Sequence, residues 1–158
     1  MEIINILENN AVADVVRSSL WAYPLLESVH LIGLAFVVGA VAMLDLRLVG
    51  LSKSLPVSGL ASHILPWVRM AFILVVISGF LLYMSDAEYY TFKVVFWVKI
   101  GLIVIAGLNA FLFHRGIYKQ VDNWNEDNAP PARARFTGSV SLLVWMGVIV
   151  AGRLLAYL

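Results

Sequence analysis

Residues 21–49 decide the fold of this chain, and they read WAYPLLESVHLIGLAFVVGAVAMLDLRLV. An α-helix rises 1.5 Å per residue, so about 20 apolar residues cross a hydrocarbon core that is about 30 Å thick. This stretch is longer than that, and its only charged residues are Glu27, Asp45 and Arg47. The stretch therefore predicts a membrane-spanning helix. The ionisable residues inside it need an explanation, because charges are costly in a bilayer.

Three further apolar stretches follow, at residues 63–84, 92–113 and 136–158. Hydrophobic residues make up 61% of the chain and charged residues 13%, against about 45–50% and about 25% in soluble domains. The sequence predicts an all-α, integral membrane four-helix bundle in a single domain, 1–158. With flanking residues included, the predicted spans cover about 21–49, 60–85, 91–118 and 136–158.

The residues before the first span form a separate small element. Val12, Val15, Val16 and Leu20 fall near one helical face. This pattern predicts a short amphipathic helix at about 9–20 that lies in the membrane interface. A frayed terminus is the alternative, since short helices are marginal on their own.

The distribution of Lys and Arg predicts the orientation. Four crossings return the chain to the side on which it began. We call this side the terminal side; it also contains the connection near residues 85–93. We call the opposite side the loop side; it contains the other two connections. Most basic residues belong to the loop side: Arg47, Lys53, Arg115, Lys119, Arg133 and Arg135. The excess predicts a cytoplasmic loop side, and hence a bacterial inner-membrane protein with both termini periplasmic.

Composition also limits the partners and cofactors. The formal net charge of +1 indicates no nucleic-acid partner, and the lipid bilayer is the expected surrounding. The chain has no Cys, which excludes disulfides, thiolate metal sites and iron–sulfur clusters. The first residues lack a basic segment followed by an apolar core, so no cleavable signal peptide is expected.

One layer of polar residues is predicted in the terminal half of the membrane. His30, Lys99 and Arg153 lie on three different spans, each roughly 8–14 Å from the boundary. Glu27 lies one turn from His30. Residues of both signs at one depth suggest a polar relay or a buried site. Alternatively, His30 is a core histidine bonded to Glu27 or a backbone carbonyl, and the two cations snorkel outward.

A second layer is predicted near the loop side. His63 and His114 are expected at similar heights on antiparallel helices, where two facing imidazoles could hold a haem iron or copper. The alternative is a pair of interfacial histidines that bind water or headgroups. Asp45 and Arg47 are expected to reach the interface by snorkelling and so to need no site.

Several stretches carry a family resemblance. ESVHLIG at 27–33, DLRLVG at 45–50, FWVK at 96–99 and GLNA at 107–110 resemble the first and third helices of a group of small, uncharacterised bacterial four-helix membrane proteins. More loosely, the architecture resembles four-helix b-type cytochromes and CopD-like copper-resistance membrane proteins. The cytochrome resemblance implies haem b held by histidines. With three His in the chain, one bis-His haem fits on His63 and His114, or a site forms on His30 with Lys99.

Three functional hypotheses follow. The first is a haem-b-binding electron-transfer protein, a component of a membrane oxidoreductase, that exchanges electrons with quinone or a periplasmic partner. Its candidate cofactor-binding residues are His30, His63, His114, Lys99 and Arg153, and the three histidines are candidate copper ligands in the alternative. The second is a solute, metal-ion or proton conduit with Glu27, His30, Lys99 and Arg153 as a relay. The third is a structural subunit of a larger complex. A homo-oligomer or subunit role is expected in each case, and no motif for nucleophilic catalysis is present.

Overall fold

The computed structural model describes residues 2–157, with side chains from residue 4 onward. Within that range the chain is helical and contains no strand, which confirms the predicted all-α class. Seven α-helices and one 3-10 segment follow in order: α1 (Glu2–Glu8), α2 (Ala11–Ser18), α3 (Ala22–Val49), α4 (Val57–Ser85), α5 (Ala87–Thr91), α6 (Val94–Arg115), the 3-10 segment (Ile117–Asn123) and α7 (Ala132–Leu154).

Four of these helices, α3, α4, α6 and α7, are long and apolar enough to cross a membrane. The chain is therefore a multi-pass membrane protein. Helix α4 begins at Val57, directly after Pro56, whose fixed φ suits the start of a helix. His63 consequently lies inside α4. The ends of α3 and α6 are marked by Gly50, which has a positive φ of 118°, and by Gly116.

Helix α3 occupies the centre of the arrangement. It packs along both α4 and α7, and α7 packs along α6, so the lateral order is α4, α3, α7, α6. Small residues permit the close contacts: a Cβ on Gly33 would lie 2.8 Å from a methyl group of Val75, and one on Gly138 would lie 2.9 Å from the carbonyl oxygen of Asp45. In the described part of the chain, α4 and α6 share little packing, which leaves a seam between them.

The N-terminal segment contains two short helices where a single helix was predicted. Asn10 separates them, because its side-chain oxygen accepts hydrogen bonds from the backbone N–H groups of Val12 (2.9 Å) and Ala13 (3.0 Å) and so caps α2. Ala13 and Val16 are buried, and α2 packs against α4 and α3. The apolar side chains of Val12 and Val15 stay exposed, as suits a helix at a membrane interface.

The loop side of the bundle is closed by a hydrophobic cluster from several elements. Its buried members are Leu44, Leu48, Val57, Ala61, Phe113, Val121, Trp124 and Ala134. The 3-10 segment and Trp124 belong to the long connection between α6 and α7. This connection therefore folds over the helix ends and does not extend into solvent.

Arg47 and Asp45 are both buried, with 1% and 5% of their surface exposed, so the prediction that they snorkel to the interface was wrong. Arg47 Nε donates a hydrogen bond to the carbonyl of Leu55 (2.7 Å), and one terminal nitrogen donates to those of Lys53 (3.1 Å) and Asn125 (3.0 Å). Two connections thus wrap around the guanidinium and supply acceptors for Nε and one terminal nitrogen, whereas the other terminal nitrogen, Nη1, is buried without a partner.

Candidate functional site

A cleft of about 480 Å³ lies in the terminal half of the bundle. All four spans and α5 contribute side chains to it. Its lining includes the four residues of the predicted polar layer and several aromatic rings: Glu27, His30, Lys99, Arg153, Tyr23, Tyr83, Tyr89, Tyr90 and Phe96. The structure therefore brings the predicted relay residues to one cavity, although they come from three different helices.

His30 is fixed in this cleft by its own neighbours on α4. Its Nδ1 lies 3.1 Å from the carbonyl oxygen of Val75 and 3.0 Å from the hydroxyl oxygen of Ser78. A carbonyl oxygen only accepts, so we infer that Nδ1 carries the proton and Nε2 keeps its lone pair. Of the alternatives for His30, the bond to a backbone carbonyl is present.

Gly79 provides the space for the His30 ring. A Cβ at Gly79 would lie 2.8 Å from His30 Cε1, which is too close for any other residue without a shift of the ring. The imidazole is therefore held between α3 and α4 by the two hydrogen-bond contacts of Nδ1 and by the close approach of its Cε1 edge to Gly79. A ring oriented in this way through one nitrogen leaves the other nitrogen to bind a ligand.

The two cationic residues of the layer lie on the other side of the cleft. Lys99 is partly buried, and its ammonium nitrogen is 3.7 Å from the position that a Cβ on Gly152 would occupy. It is near enough to His30 for an electrostatic interaction. Arg153 is exposed and donates a hydrogen bond to the hydroxyl of Tyr157 at 2.6 Å. Lys99 therefore forms part of the cavity wall, whereas Arg153 lies at the rim of the cavity.

Tyrosines form the mouth of the cleft. The hydroxyls of Tyr23 and Tyr90 are 3.4 Å apart, and the Tyr83 hydroxyl is 2.8 Å from that of Thr91. The rings of Tyr83 and Phe96 stack at 5.3 Å. Burial, followed by the hydrogen bond with Tyr23, raises the pKa of Tyr90 above its ordinary value. This rim was not predicted, although the clustered Tyr89 and Tyr90 in the short terminal-side connection are a visible signal.

The second predicted layer is not assembled into a site by any described contact. His63 is exposed on α4, whereas the Nδ1 of His114 lies 2.8 Å from the carbonyl of Ala110, and its Nε2 is buried without a hydrogen-bond partner. These histidines belong to α4 and α6, the two spans that share little packing. Among residues 2–157 no group of three or more His, Cys, Asp or Glu is placed to hold a metal ion.

Comparison with known proteins identifies one family. No curated protein and no solved structure matches the chain. The looser likeness to b-type cytochromes and CopD-like proteins thus stays a prediction. Residues 18–158 match a family of unknown function, DUF6644, in line with the expected kinship to uncharacterised proteins. Because the match covers all four spans and most of the chain, this protein belongs to the DUF6644 family.

Proposed function

We propose that this protein binds haem b in the cleft of its terminal half and transfers electrons in the membrane. One observation carries the proposal: the His30 ring is anchored through Nδ1 by Val75 and Ser78, and it lines a cavity of about 480 Å³. A neutral imidazole oriented by a hydrogen bond at its other nitrogen is the usual axial ligand arrangement.

The remaining lining fits the same cofactor. Cavities of roughly 300–1,000 Å³ with apolar walls and a few polar groups are typical of cofactor sites. Phe96 and Tyr83 would supply aromatic walls for a flat ring. Lys99 and Arg153 supply positive charge to pair with the two propionates. When bound, the haem would supply one-electron redox chemistry.

His30 is preferred over the pair of His63 and His114 for a geometric reason. His63 is exposed on α4, and no described contact joins it to α6. His30 lines a cavity with cationic and aromatic neighbours. His30 would thus be the residue that holds the iron, and Lys99 lines the same cavity.

The cleft also suggests where electrons are exchanged. Its mouth lies near α5 and the end of α7, on the terminal side. With the basic residues of the loop side in the cytoplasm, the protein would lie in a bacterial inner membrane with both termini periplasmic. A periplasmic partner would reach the mouth from water, and a quinone would approach from the membrane.

A conduit for protons or small solutes is the second candidate function. The observation that favours it is the shared cavity of Glu27, His30, Lys99 and Arg153. These residues offer both donors and acceptors around one cavity. Under this proposal Glu27→Gln and His30→Ala would each abolish pH-dependent flux in liposomes.

The deciding experiment for haem is an absorption spectrum of the protein purified in mild detergent after expression with a haem precursor, oxidised and then reduced with dithionite. We expect a Soret band that is lost in His30→Ala and kept in the matched variants His63→Ala and His114→Ala. A colourless protein would contradict haem binding. A band lost only in His63→Ala or His114→Ala would place the iron in the loop half.

A further inference from the structure

A second cavity, of about 150 Å³, lies between α3 and α7. Its walls are apolar except for the side chain of Asp45. Asp45 is 5% exposed, and its Oδ2 is buried without a hydrogen-bond partner. A buried carboxylate oxygen in this position is unfavourable until a proton or another donor comes to it. One oxygen of the acidic side chain that lines this cavity is therefore chemically unsatisfied.

The neighbours of Asp45 do not neutralise it. The hydroxyl of Ser141, on α7, interacts with the carboxyl group. Arg47 lies two residues further along α3, but its guanidinium binds the carbonyls of Lys53, Leu55 and Asn125. The charged residues at the start of α7, Arg133 and Arg135, are exposed. Among the described residues Asp45 forms no ion pair.

The position of the cavity indicates the direction from which a proton would reach Asp45. Ile149 on α7 lines both this cavity and the larger cleft, so the two spaces adjoin at one side chain. In the other direction, the buried cluster around Leu48 and Trp124, together with the Arg47 hydrogen bonds, covers the loop side. The polar space that adjoins the Asp45 cavity is therefore the cleft of the terminal side.

We propose that Asp45 is an internal proton-exchange site that is reached from the cleft past Ile149. A proton from the terminal side passes Ile149 and forms an O–H bond at Oδ2, and the same bond breaks when the proton returns. The proposal does not depend on haem. It requires only the unpartnered Oδ2 of Asp45, the small cavity and the Ile149 side chain that lines both spaces.

The test is infrared difference spectroscopy of the purified protein between acidic and alkaline pH, in which a protonated carboxyl gives a C=O band that shifts in deuterated water. We expect a band that Asp45→Asn removes and Asp45→Glu moves, while Glu126→Gln, which changes an exposed carboxylate outside both cavities, leaves it in place. A band that persists in Asp45→Asn overturns the proposal. So does a band that responds to sodium or potassium at constant pH but not to pH, since the site then takes a metal cation.

The route is tested by the rate at which this band changes after a rapid pH jump. Ile149→Ala shortens the side chain at which the two spaces adjoin, so the rate of the band change should rise about tenfold. Ile149→Trp enlarges that side chain, so the rate should fall. Met146→Ala is the matched control, because Met146 lines only the smaller cavity, and it should leave the rate unchanged. Equal rates in the unmodified protein, Ile149→Ala and Ile149→Trp would overturn the proposed route. Because the band needs no haem, its outcome is independent of the haem spectrum.

Discussion

The two ends of this bundle use the same four helices in opposite ways. At the loop side, a hydrophobic cluster and two connections close over the helix ends, and Arg47 donates hydrogen bonds to three backbone carbonyls, while its Nη1 has no partner. At the terminal side, the helices enclose a cleft of about 480 Å³, and cationic, acidic and imidazole groups line it.

The difference shows that burial of a charge does not by itself mark a functional site. Arg47 is the more buried cation, yet its hydrogen-bonding groups serve the fold. His30 and Lys99 are only partly buried, but they face a cavity in which a ligand could bind. Among the described residues, the buried polar atoms without a hydrogen-bond partner, Asp45 Oδ2, Arg47 Nη1 and His114 Nε2, lie towards the closed end. The open end instead offers a cavity whose polar groups a ligand can reach.

The largest effect should come from breaking the closed end at Arg47. Arg47→Ala removes the donors of the carbonyls of Lys53, Leu55 and Asn125 inside a covered site. We expect the free energy of unfolding to fall by about 3–5 kcal/mol. Denaturant unfolding in detergent, followed by circular dichroism, measures this.

Arg115→Ala is the matched control for that measurement. Arg115 is exposed, and its guanidinium lies 4.5 Å from the centre of the Phe111 ring. Loss of such a contact should cost at most about 1 kcal/mol. Equal losses in the two variants would mean that the Arg47 hydrogen bonds do not hold the loop side closed.

A smaller effect is expected at the close contact between α3 and α7. Gly138→Ala would place a Cβ 2.9 Å from the carbonyl oxygen of Asp45 and 3.0 Å from Leu48 Cβ, so the helices must separate. We expect a loss of about 1–3 kcal/mol in the unfolding free energy. Gly107→Ala meets nothing within 4 Å and should be neutral or stabilising, because Ala favours helix. If Gly138→Ala and Gly107→Ala changed the unfolding free energy equally in the same assay, the close contact of α3 and α7 at Gly138 would be refuted.

At the open end, Ser78 is expected to affect ligand binding more than stability. Ser78→Ala removes one of the two groups that orient His30. If haem binds there, its affinity should fall about 10–100-fold, measured by titrating the detergent-purified protein with haem. Ser139→Ala, at an exposed position on α7, should leave the affinity unchanged. An unaltered affinity in Ser78→Ala would show that Ser78 does not position the ring.

The smallest effect concerns the protonation of the tyrosine rim. Because burial raises the folded-state pKa of Tyr90, the stability that its phenol contributes is complete below the ordinary tyrosine pKa of about 10. That stability is lost as pH rises above this value through the folded-state pKa. In an alkaline absorbance titration, Tyr90→Phe should remove the component that ionises last. If Tyr90→Phe instead removed a component that ionises near the ordinary tyrosine pKa of about 10, the buried position of Tyr90 would be contradicted.

The amino-acid sequence by itself determined the helical class, the four crossings and the layer at which Glu27, His30 and Lys99 meet. These properties are local: hydropathy over about 20 residues predicts a crossing, and a rise of 1.5 Å per residue predicts depth. Residues at one depth on different spans were therefore recognisable as a group before any helix was packed. The short α2 was predicted from its apolar face, although its start depended on the Asn10 cap.

Only the tertiary structure decided which helices are neighbours and which charges are satisfied. The order α4, α3, α7, α6 puts His63 and His114 on two spans that share little backbone packing, a relation that equal predicted height does not show. Arg47 is buried because Asn125, far along the chain, supplies a carbonyl. Asp45 faces a cavity because α7 packs on α3. Each outcome depends on contacts between distant segments, which hydropathy and helical periodicity along the chain do not encode.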